Sequence, residues 1–412
     1  MDVFDRLLDT KLDGKNRQLL DLLETGKLYD NVATEIRGRR IRVQGHWLDD
    51  FASCNYLGFD LREDIMERVL PAMRAWGTHP SWARLACSPE LYETVERKIA
   101  HLIGAEETII IPTISLLAVG LIPQLTGKGS GIFVDRFAHK VNFDGCRIAR
   151  DLGAELFSFH HSDPAALDKL LTEHPQLNPK LVVIDGVLSV TGRTPNLQAI
   201  VEVARKHDAI VYIDDAHGFG ILGENPTAQR PYGHRGNGVV KHFGLSYDNI
   251  LYVAGLSKAY SSLAAFVACP SKLKKFLKTN ITAYIYSGPV PTAALATALA
   301  GLEVNDREGD ALRDRICEYA KSISQGYREA GIATDNDNSF PIVSAYVGSA
   351  DNVARGGQLL FEAGINVTMQ AYPVVPKDKG VLRATPTAAN TWKEVEHLVQ
   401  AMTSVHRQLG LV

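Results

Sequence analysis

The sequence lacks the features that mark secreted, membrane-spanning and nucleic-acid-binding proteins. Its 412 residues include only five cysteines and no CxxC pair, which argues against a disulfide framework or a zinc site. The net charge of −3 gives no general attraction for nucleic acid. No charge-free apolar run reaches the ~18 residues of a membrane span, and Met1–Arg6 lacks the basic start of a signal peptide. We therefore expect a soluble cytoplasmic protein with no membrane span, nucleic-acid partner or metal.

The length and the ordinary composition favour a large α/β domain with a smaller one beside it. Residues 1–28 have helical spacing and many charges, which predicts an exposed amphipathic arm, and Ile41–Phe51 alternates like an edge strand. The predicted division is an N-terminal arm and edge strand at 1–54, a large domain at 55–290 and a small domain at 291–412.

Short apolar runs alternate with helical patterns, such as Pro195–His207, along the predicted large domain. The predicted strands are Thr108–Ile111, Gly131–Val134, Leu181–Ile184, Ile210–Ile213, Ile250–Val253 and Ala265–Ala268. This alternation predicts a mostly parallel sheet covered by helices on both faces, a three-layer α/β/α arrangement.

After Pro291 the pattern changes to that of a small α+β domain. Its predicted elements are helices at Thr292–Asn305, Asp310–Ala330 and Thr391–Leu409, and strands at Ile342–Val347 and Val381–Ala384.

A lysine, an acid and a histidine follow two of the predicted strands directly. Lys258 ends the run that starts at Asn249, and Asp214 and His217 follow the strand at Ile210–Ile213. Open α/β sheets build their sites at the carboxyl ends of the strands. These three side chains together therefore suggest a cofactor that forms a Schiff base, and pyridoxal phosphate is the obvious candidate.

Such a cofactor needs a carboxylate at its pyridine nitrogen, a flat side chain on its ring, a donor at its phenolic oxygen and donors for its phosphate. Asp214, His139, His217 and small polar residues can supply them. Each also has an alternative structural role: Asp214 as a helix cap, His139 as a core histidine and Lys258 as a surface charge.

Several segments resemble the α-oxoamine synthases, which are fold-type I pyridoxal-phosphate enzymes. The likeness runs from about Arg40 to the C-terminus. The segments that carry it are Asn55-Tyr56-Leu57-Gly58, Asp135-Arg136-Phe137-Ala138-His139, Asp185-Gly186-Val187-Leu188-Ser189, Asp214-Asp215-Ala216-His217-Gly218, Ser257-Lys258, Tyr286-Ser287 and Leu382-Arg383. The resemblance implies a homodimer with a shared active site.

The resemblance also implies a role for each matching residue. It places Lys258 as the cofactor's Schiff-base lysine, Asp214 on the pyridine nitrogen, His217 on the phenolic oxygen and His139 on the ring. It also implies cofactor contacts for Thr113, Ile114, Ser189, Ser257 and Ser287, and substrate contacts for Asn55, Arg84 and Arg383. Of these, Arg383 would bind the substrate carboxylate.

The segments around the substrate depart from the family pattern. Tyr92 stands where the family has a histidine, the phosphate loop after Pro112 has no asparagine, and Gly255 replaces a threonine. Gly238–Gly244 resembles a family segment but has Lys241 in place of its glutamate.

The reaction implied by the resemblance is the decarboxylative condensation of an α-amino acid with an acyl thioester, bound to CoA or to a carrier, giving an α-aminoketone. The departures keep open an aminotransferase, an aldolase or another carbon–carbon bond former on the same fold, and a non-catalytic scaffold subunit. An acyl carrier protein remains a possible partner, because Lys272, Lys274, Lys275 and Lys278 form a small basic patch. A solvated helix face is the alternative interpretation of that patch.

Overall fold

A computed structural model of the chain describes residues 2–11 and 29–412. The strands in chain order are β1 Ala33–Arg37, β2 Arg40–Val43, β3 His46–Asp50, β4 Glu107–Ile111, β5 Gly131–Asp135, β6 Glu155–Phe159, β7 Lys180–Asp185, β8 Ala209–Asp214, β9 Ile250–Gly255, β10 Ala265–Cys269, β11 Val343–Gly348, β12 Ile365–Asn366, β13 Thr368–Gln370 and β14 Gly380–Ala384.

The helices in chain order are α1 Val3–Lys11, α2 Glu63–Trp76, α3 Glu90–Ile103, α4 Ile114–Leu125, α5 Lys140–Asp151, α6 Pro164–Glu173, α7 Leu197–Lys206, α8 Val239–His242, α9 Ser271–Asn280, α10 Thr282–Ile285, α11 Thr292–Glu329, α12 Ala350–Glu362 and α13 Trp392–Gln408. The exposed helix α1 confirms the start of the predicted arm. The rest of that prediction, residues 12–28, lies outside the described residues.

Two compact units make up the described chain. One consists of residues up to 54, residues 190–192 and residues 316–412, and the other of residues 55–189 and 193–315. The division predicted from the sequence, with an arm at 1–54, a large domain at 55–290 and a small domain at 291–412, stays a prediction.

The second unit is built on a seven-stranded sheet with the order β4-β10-β9-β8-β7-β5-β6. Strands β6, β5, β7, β8 and β9 are parallel, and β10 is antiparallel to both of its neighbours. The predicted mostly parallel sheet is therefore confirmed. The central strands are buried along almost their whole length because apolar side chains cover both of their faces.

The first unit carries two small sheets, β1-β2-β3-β12 and β11-β14-β13. Its core packs strand residues such as Val343 and Leu382 against helix residues such as Leu398 and Met402. Helix α13 begins at a capping box in which Thr391 Oγ1 accepts from the Glu394 N–H and the Glu394 carboxylate accepts from the Thr391 N–H. This unit confirms a small α+β arrangement near the C-terminus.

Two sequence predictions of local structure were wrong. The single strand at Ile41–Phe51 is the hairpin β2–β3, because Gln44 and Gly45 adopt φ of 49° and 83° and reverse the chain. The two helices expected at Thr292–Asn305 and Asp310–Ala330 are one helix, α11. Gly309 does not end that helix, and the Asn305 side chain accepts a 2.7 Å hydrogen bond from Arg313 across it.

Candidate active site

The carboxyl ends of the parallel strands bring the chemically active side chains of the second unit to one edge of the sheet. Asp135, Asp185 and Asp214 are the last residues of β5, β7 and β8. Lys258 follows the end of β9, and Thr113 follows β4, whose direction is the same because β10 is antiparallel to both β4 and β9.

Asp214 is a buried carboxylate held by two hydrogen bonds. It is 5% exposed. Its Oδ1 accepts from the Ala216 N–H at 3.1 Å, and its Oδ2 accepts from the Asn142 side-chain amide at 2.9 Å. These bonds orient a negative charge at the strand edge, which is what a protonated pyridine nitrogen requires.

His217 is 6% exposed, and its Nδ1 lies 2.7 Å from the hydroxyl of Tyr56. The turn after β8 therefore carries both Asp214 and His217, and Tyr56 orients the imidazole from another segment. Sequence reasoning selected the neighbouring Asn55, whose side-chain amide donates to the Asp60 carboxylate at 3.0 Å.

His139 caps the start of α5, where its Nδ1 accepts a 3.3 Å hydrogen bond from the Val141 N–H. Partial burial lowers the pKa of His139; the negative charge of Asp214 opposes that shift, and the positive charge of Lys258 adds to it. Because Asp214 and Lys258 both influence this ring, the three side chains belong to one electrostatic environment.

Lys258 is half-buried. Across residues 2–11 and 29–412, the structure records no hydrogen bond or ion pair for its amine. The Lys258 amine thus shares the environment of Asp214 and His139 without being held in a recorded ion pair. Such an amine can condense with an aldehyde cofactor such as pyridoxal phosphate.

The start of α4 is suited to the phosphate of such a cofactor. Thr113 caps the helix and accepts from the Leu116 N–H at 3.2 Å, so the first N–H groups, including that of Ile114, point past the helix end. A Cβ placed on Gly255 would lie 3.6 Å from Ser257 Oγ and 3.9 Å from Ile114 Cβ. The end of β9 therefore meets the start of α4, and a Cβ on Gly255 would be in ordinary van der Waals contact with both Ser257 and Ile114.

The remaining predicted cofactor residues lie in two other segments of the same unit. Ser189 is in the turn after β7. Ser287 follows α10, where its hydroxyl donates to the Ala283 carbonyl, beside Tyr286, which is 80% exposed. Their contacts with a cofactor stay predictions.

Arg84 has a buried set of protein partners. Its Nη1 lies 3.0 Å from the Glu96 carboxylate and 2.8 Å from the Ile110 carbonyl oxygen. Its guanidinium carbon lies 3.7 Å from the ring centroid of Tyr92 and 4.7 Å from that of Tyr284. These contacts favour a structural role for Arg84, and the substrate contact implied by the resemblance stays a prediction.

Arg383 belongs to the first unit, on β14. It is 7% exposed and donates through Nη2 to Thr368 Oγ1 at 3.3 Å and to Cys54 Sγ at 3.9 Å. Neither of these two partners is a carboxylate.

Three residues of this strand edge were missed from the sequence: Tyr56, Asn142 and Asp185. Tyr56 lies next to the residue that was selected, and Asp185 was seen only as the start of a motif. The sequence does not mark Asn142 as a site residue, because a polar residue in a helical pattern usually faces water.

Comparison with known proteins identifies similar chains over nearly the whole length. A sequence model described as Aminotransferase class I and II matches residues 50–402. An 8-amino-7-oxononanoate synthase of Geobacter sulfurreducens is 32% identical over 399 residues, which cover 96% of this chain and 98% of the relative. The same enzyme of Trichlorobacter lovleyi is 30% identical over 398 residues, with 96% and 98% covered.

Solved structures also resemble the chain over most or all of its length. A serine palmitoyltransferase of Sphingomonas wittichii superposes with a TM-score of 0.90 at 25% identity and covers 100% of both chains. An 8-amino-7-oxononanoate synthase of Francisella tularensis has a TM-score of 0.73 at 20% identity, covering 88% of this chain and 98% of the other, and shows a shared fold only. In the described part of the chain, no helix is both long and apolar enough to span a membrane.

Proposed function

This chain belongs to the class I and II aminotransferase family and, within it, to the α-oxoamine synthases; from that premise we propose which of its residues carry the reaction and which substrates it takes. The enzyme is a pyridoxal-phosphate-dependent acyltransferase. It joins an α-amino acid to the acyl group of a thioester with loss of carbon dioxide.

The grouping of Lys258, Asp214, His217 and His139 at one strand edge is the observation that supports our assignment of residues. Pyridoxal phosphate supplies an aldehyde that condenses with amines and a ring that stabilises negative charge at the amino-acid Cα. In our proposal Lys258 binds the aldehyde, Asp214 keeps the pyridine nitrogen protonated, His217 donates to the phenolic oxygen and His139 covers the ring.

The phosphate has its own set of proposed donors. These are the Thr113 hydroxyl and the N–H of Ile114, with the hydroxyls of Ser257 and Ser287. The helix start supports this choice because unpaired N–H groups and the helix dipole favour an anion there. Ser189 is proposed to contact the cofactor or the substrate.

Lys258 is also the proposed base. It removes the Cα proton of the amino acid, a step for which a free amine at this position is the suitable group. Arg383 is proposed to bind the substrate carboxylate through its planar fork, because two parallel N–H groups match two carboxylate oxygens. Asn55 and Arg84 are also proposed to contact the substrate, and neither is assigned to a particular substrate group.

The product named for the relatives suggests the first substrates to test. In 8-amino-7-oxononanoate the amine is on carbon 8 and the ketone is on carbon 7 of a nine-carbon acid. Its amine-bearing fragment corresponds to alanine without its carboxylate, and its acyl fragment is a seven-carbon chain ending in a carboxylate. We therefore propose alanine and an acyl thioester of that kind as the substrates of this enzyme.

Two partners are also proposed. A homodimer with a shared active site follows from the family resemblance, and sedimentation equilibrium of the holoenzyme tests it. An acyl carrier protein is the alternative thioester carrier. The basic helix face on α9 supports it only weakly, because Lys274 is already paired with Glu107 at 2.5 Å.

The deciding experiment incubates holoenzyme with alanine, serine or glycine. Each amino acid is tested without a thioester, with the CoA thioester of the seven-carbon chain that ends in a carboxylate, and with a long-chain acyl-CoA. Coupled release of free CoA and carbon dioxide, greatest with alanine, is the expected result. A keto acid together with the pyridoxamine form of the cofactor would instead identify an aminotransferase. Release of CoA with serine and a long-chain acyl-CoA would keep the reaction class and change the substrates.

A further inference from the structure

A second carboxylate lies directly beside Asp214. Asp185 and Asp214 are register partners at the ends of the neighbouring parallel strands β7 and β8. They are 7% and 5% exposed. Two buried carboxylates at this spacing repel each other when both are ionised, and water cannot screen the repulsion.

The side chain of Asn142 connects the two acids. Its amide Nδ2 lies 2.9 Å from Asp214 Oδ2 and 3.1 Å from Asp185 Oδ1, and the residue is 0% exposed. Asn142 follows His139 by one helical turn on α5, so the helix that carries the ring-covering histidine also carries the bridge. The backbone N–H of His139 donates to both Asp185 oxygens, at 3.1 and 3.0 Å.

The surroundings of Asp185 favour its neutral form. Burial raises its pKa well above the ordinary value, and the charges of Asp214 and then Asp135 raise it further. The N–H groups of His139 and Asn142 oppose this shift but do not reverse it.

Of the groups near the pair, His139 interacts electrostatically with Asp214 and Lys258, whereas the nearby phenol of Tyr212 carries no positive charge. The phenol of Tyr212 is buried, and burial raises its pKa well above the ordinary value, with the charges of Asp214, Cys146 and Asp185 adding to the shift. The side-chain contacts of Asp185 recorded within residues 2–11 and 29–412 are with the His139 N–H and the Asn142 amide, and none is an ion pair with a cationic side chain. Asp185 therefore has hydrogen-bond donors but no counter-ion.

We propose that Asp185 is a neutral carboxylic acid and that Asn142 is a positioning residue that couples it to Asp214, so that Asp214 alone offers negative charge to the pyridine nitrogen. In this arrangement the amide of Asn142 fixes the orientation of the Asp214 carboxylate, and the uncharged Asp185 adds no competing anion. The inference rests on the proposed role of Asp214 and concerns cofactor binding, before any substrate takes part.

The test uses cofactor affinity and the absorbance of the bound cofactor. Apoenzyme is titrated with pyridoxal phosphate, and the absorbance of the holoenzyme is recorded from pH 6 to 9. Asp185→Asn cannot ionise at this position. We expect its Kd for pyridoxal phosphate to lie within about threefold of that of the unsubstituted protein, and the pH midpoint of the cofactor's absorbance change to stay the same. For Asn142→Leu we expect a Kd raised about tenfold or more and a shifted pH midpoint, since hydrogen bonds to a charged acceptor are lost.

Two controls separate this role from a general loss of structure. Asn280→Leu, at the end of α9, is the matched substitution, and circular dichroism with thermal unfolding reports the fold of every variant. If Asn142→Leu does not fold, Asn142→Ala removes the same amide without added bulk.

Two results would overturn the proposal. One is a tenfold loss of affinity or a displaced pH midpoint in a folded Asp185→Asn, which would mean that Asp185 is ionised. The other is a folded Asn142 variant whose Kd for pyridoxal phosphate and absorbance pH midpoint equal those of the unsubstituted protein. Failure of the proposed substrates would leave these cofactor measurements intact, so the two hypotheses fail separately.

Discussion

The hydroxyl of Tyr56 lies 2.7 Å from Nδ1 of His217, and both side chains are buried. The imidazole is therefore oriented from outside the turn that carries it, because Tyr56 belongs to the segment before the first helix of its unit. Tyr56 engages Nδ1, and the proposed role of His217 toward the phenolic oxygen of the cofactor falls to the other ring nitrogen.

Replacing Tyr56 by Phe removes this hydrogen bond and keeps the ring. We expect pyridoxal phosphate to bind about 2- to 10-fold more weakly, because a single hydrogen bond contributes about 0.5–1.5 kcal/mol. Titration of apoenzyme with the cofactor measures the change. Tyr327→Phe is the matched control, since Tyr327 is a buried tyrosine in the core of the first unit. Equal affinity in the Tyr56 variant would show that His217 needs no orientation by Tyr56.

Lys258→Ala tests the proposed covalent anchor and base. We expect borohydride to trap no cofactor on the variant, and turnover to fall by about 100- to 10,000-fold, the usual range for removing a positioned acid or base. Mass spectrometry of the reduced protein and release of free CoA are the measurements. Lys169→Ala, on the exposed face of α6, should match the unsubstituted enzyme. Cofactor trapped on the Lys258 variant would place the Schiff base on another lysine.

Arg383→Ala tests the proposed contact with the substrate carboxylate. We expect the KM for the amino acid to rise roughly 10- to 100-fold with little change in the KM for the thioester, because hydrogen bonds to charged groups contribute about 1.5–3 kcal/mol. Arg383→Lys should recover part of the loss, since it keeps the charge without the planar fork. Arg355→Ala, exposed on α12, is the control. A rise in the thioester KM alone would assign Arg383 to the acyl donor.

Arg84→Met breaks the buried ion pair with Glu96, whose side chains are each 5% exposed. We expect the free energy of unfolding to fall by about 3–5 kcal/mol, because the Glu96 carboxylate is left buried without its partner. Denaturant titration measures this loss, and Arg97→Met on the exposed side of α3 is the control. An increased KM for the amino acid at full stability would instead support the substrate contact implied by the family resemblance.

Asp215→Asn changes how stability depends on pH. Burial raises the pKa of Asp215 to about 7 despite hydrogen bonds from the Tyr252 hydroxyl at 2.7 Å and the Val239 N–H at 2.9 Å. The folded chain therefore binds this proton more tightly than the unfolded chain, and the contribution of Asp215 to stability is lost as pH rises from about 4 to about 7.

The unsubstituted protein should therefore lose about 1.4 kcal/mol per pH unit relative to Asp215→Asn between pH 5 and 6. Denaturant titrations at each pH provide the comparison. Asp151→Asn, at the exposed end of α5, should keep the pH dependence of the unsubstituted protein. If the free energy of unfolding changed with pH equally in Asp215→Asn and in the unsubstituted protein, Asp215 would be ionised in the folded chain.

Local patterns identified most of the large sheet and the residues at its edge. Six strands of the sheet were predicted because apolar runs bounded by polar turns show buried strands directly. The edge strand β6 was missed because its exposed residues interrupt the apolar run. The hairpin turn at Gln44 and Gly45 and the continuous helix α11 were also predicted wrongly. A turn with two positive φ values and a helix that continues through Gly309 depend on contacts with residues outside the short segments that were read.

The sequence by itself determined the fold class and the cofactor, and it predicted Lys258, Asp214 and His217 as site residues, because each follows a strand and belongs to a segment that resembles the family. Only the tertiary structure decided which groups surround them. Asn142 bridges Asp214 to Asp185, Tyr56 orients His217, and Arg84 is enclosed by Glu96 and two tyrosines. These contacts join residues far apart in the chain, and hydrogen bonds and burial between such residues exist only once the strands have paired and the helices have packed on them.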